Sequence, residues 1–489
     1  MNKSKLALTI IVALAAVWTG GAWFTGKTAE AEYKTQVENL NKQLTSAKSA
    51  VAFSVKIENV RFDRGLFSSE MGYDILIEST QDKTQTWRLP FAGTLYHGPL
   101  PLNLVRQFDF SPAVFSSHSQ LIKNELTTPW FDYTKEQNPI TADISLNYMQ
   151  EFDAALNLAA GDIKLEDIAV NWSNAFIKYA ATPKKQGEFN YRYDAAKLTL
   201  TDKALADIKL ADKAETQSDL SAIDIELQNL DGLMQIIPAT NDITTGLYKG
   251  KIENLTYTYH FADNKKTANT IYFNNFNYDY AANENEGMLN YDIHNRADSL
   301  KINDKNLGGV QLDLQANHLP TNLVAQLIHG IKRQADEKEI NEILLKILEN
   351  QPHFRISPLA LQNTAGKFTG NFNIELAHAD FANALKKGNV LSLFKQFSLN
   401  IDTDKPALVE FLSTLQQLSG VAKEKADGYA QQQVDQIANT LKKQNVIVEE
   451  GGSAKFNLAI VNDKLMLNGN EIPEEYIGLM LFGLMMQSK

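Results

Sequence analysis

The chain contains no cysteine at all. That absence excludes disulfides, thiolate metal sites and a cysteine nucleophile, and it excludes a bacterial lipoprotein anchor. Stability must therefore come from packing. Basic excess is also missing: 47 Lys and Arg stand against 58 Asp and Glu, for a net charge of −11. An acidic chain lacks the footprint that nucleic acid requires, and it gives no broad attraction to anionic headgroups. Catalytic signatures are absent too. There is no G-x-S-x-G elbow, no G-x-x-x-x-G-K-[ST] loop, no G-x-G-x-x-G after a strand and no H-E-x-x-H.

Long apolar runs are missing everywhere but at the start. Leu6 to Phe24 reads LALTIIVALAAVWTGGAWF, carries no charge and follows Lys3 and Lys5. About 20 residues of helix cross a hydrocarbon core, so the run is long enough to span once. Trp18 and Trp23 sit where interfacial aromatics belong. The rival reading is a cleaved signal peptide with Ala29-Glu30-Ala31 as its processing site, but the run exceeds the usual signal core of about 7–15 residues. Both readings export the body, because Lys3 and Lys5 stay inside. The expectation is a retained, uncleaved single-pass membrane anchor with the body outside the cytoplasm.

From Thr28 to Lys48 the residues Tyr33, Val37, Leu40 and Leu44 fall on one helical face. That stripe can pack on the body or on a second copy. From Val51 the text alternates with period two. VAFSVKIENVRF, MGYDILIES, KIENLTYTYHFA, NTIYFNNFNYDYA and VQLDLQAN are examples, separated by Gly, Asn, Asp and Lys turns. One face is aliphatic or aromatic and the other is Asn, Asp, Thr or Lys, as in an antiparallel sheet with one wet face. Helical spacing returns at Pro320 to Gly330, at Ala335 to Asn350 and from Lys405 to Lys443, the last interrupted at Gly420 and Gly428. Strands close the chain at Ser453 to Ile460 and Lys464 to Leu467. The fold class expected is α+β: an N-terminal transmembrane helix, then an elongated, mostly antiparallel repeated β body with inserted helices. The divisions are 1–50 for the anchor and its helix, 51–318 for the main β region, and 319–489 for a mixed closing region.

A strand, a His, a short turn and a helix recur around His97, His318 and His378. This reads as duplicated strand-and-helix units. No two histidines have metal spacing, so hydrogen bonding to turn backbone is the simpler role. Asp336, Glu337 and Glu339 stand at a helix start, where acids favour the macrodipole. No catalytic residue, metal ligand or cofactor site is expected.

Two features exceed background. The aromatic sheet text carries Tyr257, Tyr259, Phe261, Tyr272, Phe273, Phe276, Tyr278, Tyr280 and Tyr291. It is either the core of a curved sheet or an apolar groove for an acyl chain or hydrophobic peptide. The tail Ile477 to Met486, IGLMLFGLMM, is too short to span a bilayer and reads as a closing helix or a Met-rich contact surface.

Arg64-Gly65-Leu66-Phe67-Ser68, Tyr96-His97-Gly98-Pro99-Leu100-Pro101 and the closing Asn462 to Gly469 segment resemble the YdgA-like proteins of Gram-negative bacteria. The resemblance runs end to end, and none of its motifs is catalytic. It implies a periplasmic protein tethered to the inner membrane, single-pass, that forms a homodimer. Three function classes follow. The leading one is a non-enzymatic envelope protein that binds or organises an apolar partner, a lipid or an assembling membrane protein. The second is a structural or interaction protein acting as a homodimer with no ligand groove. The third is a hydrolase with an illegible site.

Overall fold

The computed structural model describes residues 27–473, apart from 29, 32, 36, 40, 43–52, 80–85, 183–184, 208–219, 242, 263–268, 334, 380, 382 and 385–389. The apolar run Leu6 to Phe24 and the tail Ile477 to Met486 lie outside the described residues. Among the described residues no helix is long and apolar enough to cross a membrane.

The chain forms two compact units, Met1–Leu210 with Gln228–Pro238 and Ala211–Leu227 with Ala239–Lys489. The change of texture near residue 318 marks where helices begin to interrupt the second unit's sheet.

The first unit opens with helix α1, the helical positions of 27–42. A meander of β1 (Phe53–Arg64), β2 (Ser68–Ser79), β3 (Thr86–His97), β4 (Ala113–Leu121), β5 (Ile140–Asn147) and β6 (Phe152–Leu158) follows. Each strand pairs antiparallel with the next. Short helices α2 (Leu102–Arg106), α3 (Thr128–Tyr133) and α4 (Asp202–Asp207) interrupt the strands. β7 (Gly161–Lys164) pairs with β8 (Ile168–Trp172), β9 (Ala175–Thr182) with β6, and β10 (Lys185–Thr201) with β9, and β11 (Leu220–Pro238) follows in the chain. Period-two alternation puts Tyr73, Phe91, Leu95, Phe115 and Leu146 into one buried cluster. Burying a large apolar side chain stabilises by about 1.5–3 kcal/mol, so this cluster is the unit's main anchor. Helix α1 caps it. Tyr33 is buried there, its ring 6.1 Å from Phe62 and 6.5 Å from Phe115, and Val37 packs beside it. Asn41 closes the contact by accepting from Ile57 N–H at 2.7 Å and donating to Ile57 O at 2.8 Å. Of the stripe read from sequence, Tyr33 and Val37 thus pack on the body, and Leu40 and Leu44 lie outside the described residues. Gly93 is obligatory at its place, because a Cβ there would meet His118 O at 2.1 Å.

The second unit is one long meander. β12 (Thr244–Phe261), β13 (Asn269–Asn285), β14 (Met288–Ile302), β15 (Lys305–Pro320), β16 (His353–Asn363), β17 (Gly366–Leu376) and β18 (Phe394–Asp404) pair in chain order, all antiparallel. β20 (Ser453–Val461) then pairs with β18 and with the short β19 (Val448–Glu450), and β21 (Lys464–Leu467) pairs with β20. Helices enter where a strand ends. α5 (Thr321–Lys332) starts directly after β15, with Pro320 at its N-cap. α6 (Glu337–Glu349) is capped by Asp336, whose carboxylate accepts from Glu339 N–H at 2.8 Å. α7 (Lys405–Leu418) follows β18, and α8 (Lys423–Lys443) packs back on it. Gly420, at φ +87°, makes the break between these two, as its φ favours glycine. Gly428 makes none: it lies inside α8, whose buried stripe is Ala426, Ala430, Val434 and Ala438.

Candidate functional site

Partners across an antiparallel ladder share a face, so register tells which side chains line it. In the second unit Tyr280 faces Ile293, Ile293 faces Leu314, and Leu314 faces Ile356. The row continues through Phe372, Leu399, Leu458 and Leu467. A parallel row joins Ala297 to Val310, Leu361 and Phe368. One face is therefore apolar from β13 to β21. The opposite face is polar. His294 faces Asp313 with Nδ1 3.1 Å from its carboxylate, and Gln315 donates to Asp292 at 2.9 Å.

The apolar face is not closed like the first unit's core. Its large side chains are half-buried, and Leu359 remains 48% exposed. Helix α7 packs across β15, β16, β17 and β18. Between helix and sheet lies a slot of about 370 Å³, within the range of about 300–1,000 Å³ common for small-molecule sites. Phe276, Ala297, Val310, Leu312, Leu359, Leu361 and Phe368 form its floor, and Ala407, Leu408 and Phe411 of α7 form its roof. A polar pocket of about 600 Å³ adjoins it, sharing Arg296, Val310 and Ala360 with the slot and adding Asn306, Lys367 and Glu410.

The roof is held at one end. Glu410 accepts from Thr364 Oγ1 and from Ala365 N–H, and Asn363 Nδ2 donates to Ala407 O at 2.8 Å. Asp404, just before α7, accepts from Lys367 N–H at 2.9 Å and from Ser453 Oγ at 2.6 Å. Those bonds hold the Asp404 carboxyl below its ordinary pKa. At the helix's first residue, Lys405 Nζ lies 2.9 Å from Glu449, which Lys442 of α8 approaches at 2.6 Å. The lysines hold the Glu449 pKa down to about 2.

Of the aromatic residues singled out by sequence, Phe276 lines the slot. Phe273, Tyr278 and Tyr280 stand in row with it, at ring separations of 6.1, 6.3 and 5.7 Å along the series. Strict alternation would put Phe273 and Phe276 on opposite faces; Asn275, at φ +50°, breaks the alternation between them. Tyr280 donates to Asn295 Oδ1 at 2.8 Å. Tyr257 pairs with Ile271 and Tyr259 with Asn269, on the Phe273 face, and Phe261 ends that strand. Tyr272 pairs with Thr256 and Lys301 on the other face and is partly exposed. Tyr291 packs beside buried Leu289. Sequence reasoning passed over Leu359, Leu361, Phe368, Leu408 and Phe411. Their period-two and helical spacing marked elements, but only register brings them together.

The three repeat histidines do not converge. His97 is buried at the end of β3, where its backbone N–H donates to Phe67 O at 3.1 Å. His318 is exposed at φ +64°, and His378 Nδ1 lies 2.9 Å from Glu349 O. Among the described residues no cluster of His, Asp and Glu could hold a metal ion.

The chain is 30% identical to an uncharacterised protein of Haemophilus influenzae, over 67% of this chain and 86% of that protein. It is 23% identical to Protein YdgA of Escherichia coli, over 98% of this chain and 97% of YdgA. YihF of Escherichia coli, also uncharacterised, is 22% identical over 96% of this chain and 97% of its own length. No solved structure matches. The model of the bacterial family of unknown function DUF945 matches residues 1–475, end to end like the YdgA resemblance, and the chain belongs to this YdgA-like family.

Proposed function

We propose that this protein is a non-enzymatic component of the bacterial envelope that holds the acyl chain of a lipid in the slot beneath α7. In this reading the apolar run Leu6 to Phe24 keeps it in the inner membrane and its body works in the periplasm. The observation that carries the proposal is the half-covered apolar face of β13 to β21, roofed by one helix. A chain covering about 200 Å² of such a face gains roughly 5 kcal/mol at about 25 cal/mol per Å². The adjoining polar pocket gives a polar head a place beside the tail.

Native mass spectrometry of the detergent-extracted full-length protein tests this. The expected spectrum carries the mass of a bound lipid. Phe276→Asp and Leu408→Asp abolish it, and Tyr272→Asp, on the opposite face, keeps it. Circular dichroism would establish that each variant is folded. A wild-type protein that carries no lipid and takes up no fluorescent fatty acid ends the proposal. Co-purification of a membrane protein on the same face would replace the lipid by an assembling partner.

A further inference from the structure

The first unit gathers exposed apolar side chains at one end of its sheet. Pairing fixes which end each turn occupies. Arg64 pairs with Ser69, Ser68 with Tyr96, His97 with Phe115, Ala113 with Asn147, and Leu146 with Phe152. The turn after β1, the segment from β3 to β4 and the turn from β5 to β6 therefore project from the same end. They carry Leu66, Phe108, Phe110, Tyr148 and Met149, with Phe108 at 85% and Met149 at 77% exposure. Such a concentration of large apolar tips on turns marks a contact surface.

Helix α1 says what it contacts. Asn41 bonds Ile57, midway along β1, whereas Tyr33 touches Phe62 and Phe115 near this end. The helix thus runs with its N-terminus toward the apolar tips. From Tyr33 back to Lys27 it advances about 9 Å, while β1 beyond Phe62 adds roughly 7 Å to Arg64. Its first turn therefore comes level with the tips. The chain before it is the apolar run Leu6 to Phe24, separated from Lys27 by two residues.

We propose that this end of the first unit rests on the lipid bilayer, with Leu66, Phe108, Phe110, Tyr148 and Met149 entering the interface. The run that crosses the bilayer and the tips that touch it then meet the same membrane. This rests on the anchoring part of the function proposed above and is independent of the slot. Arg64, Arg106, Asp63, Asp109 and Glu151 give this end charges of both signs. The contact is accordingly apolar and persists at high salt, where screening weakens charge attraction.

The cysteine-free chain makes the test direct. Single cysteines are introduced in the full-length protein as Phe108→Cys, Met149→Cys, Leu126→Cys at the opposite end, and Ala22→Cys in the apolar run. Each is labelled with an NBD fluorophore and reconstituted into phosphatidylethanolamine and phosphatidylglycerol vesicles with nitroxide lipid as quencher. The expected result is loss of fluorescence at 108, 149 and 22, with none at 126. Quenching at 22 without 108 and 149 overturns the docking and leaves the anchor standing. Quenching at 108 and 149 without 22 keeps the docking and overturns the anchor. Quenching at 126 equal to that at 108 and 149, or at none of the four, overturns the docking.

Discussion

Glu410 on α7 binds Thr364 in the turn between β16 and β17 through both carboxylate oxygens, with Oγ1 at 2.7 and 2.9 Å. The same carboxylate accepts from Ala365 N–H at 2.9 Å. One side chain thus ties the roof of the slot to the edge of its floor. Glu410→Ala removes these bonds from a partly solvated site and is expected to cost about 1 kcal/mol. The measurement is amide exchange over 405–418, which should quicken while exchange in β13 and β14 stays unchanged. Equal protection in variant and wild type would show that the roof is held by other contacts.

Tyr33 tests whether α1 belongs to the folded body. It is buried against Phe62 and Phe115, and burial pushes its phenol pKa up. Tyr33→Ala should cost about 3 kcal/mol, as expected for loss of a buried ring. Limited proteolysis should then cut within 27–42 before it cuts any strand of the first unit.

Glu449 gives the pH dependence its sign. The lysines Lys442 and Lys405 lower its folded pKa from 4.5 to about 2. The stability it contributes is therefore whole above about pH 4.5 and lost as pH falls toward about 2. Thermal unfolding of Glu449→Gln against wild type should show a constant gap from pH 7 to 5 that narrows at lower pH. A gap that widens on acidification would reverse the assignment. Salt should shrink the gap, since the site is open to solvent.

Gly428→Ala should stabilise. The residue lies within α8 and an added Cβ meets nothing within 4 Å. Replacing a helical Gly by Ala gains about 0.5–1 kcal/mol. Gly420→Ala should do the opposite, because its φ of +87° strains any side chain. Denaturant midpoints of the two variants should move in opposite directions.

Much of the architecture was legible in the residues. Pro320 marked the start of α5, Asp336 capped α6, and the alternation in VQLDLQAN gave β15. Gly428 misled, because a glycine breaks a helix only where its dihedrals leave the helical region, and here they do not. The slot was half legible. Phe276 stood out through its aromatic neighbours, whereas Leu359 and Phe411 come from segments far apart in the chain. Ladder register and the crossing of α7 bring them together, and neither is written in any local period. The bulge beside Leu359, where the register of β15 and β16 shifts between Leu312 and Leu314, is likewise invisible in the alternation.

The order of pairing from β12 to β18 has a kinetic consequence. Every strand binds the one made just before it. Loop closure is then short at each step, and the sheet can lengthen strand by strand as the chain emerges, with no need to wait for its C-terminus. Each newest strand is for that interval an open edge, a template for any other extended chain nearby. The arrival of α7 after β18 means that the apolar face stays uncovered until most of the ladder is built. The period of greatest aggregation hazard for this chain therefore falls late in its synthesis, between the completion of β18 and the docking of its helix.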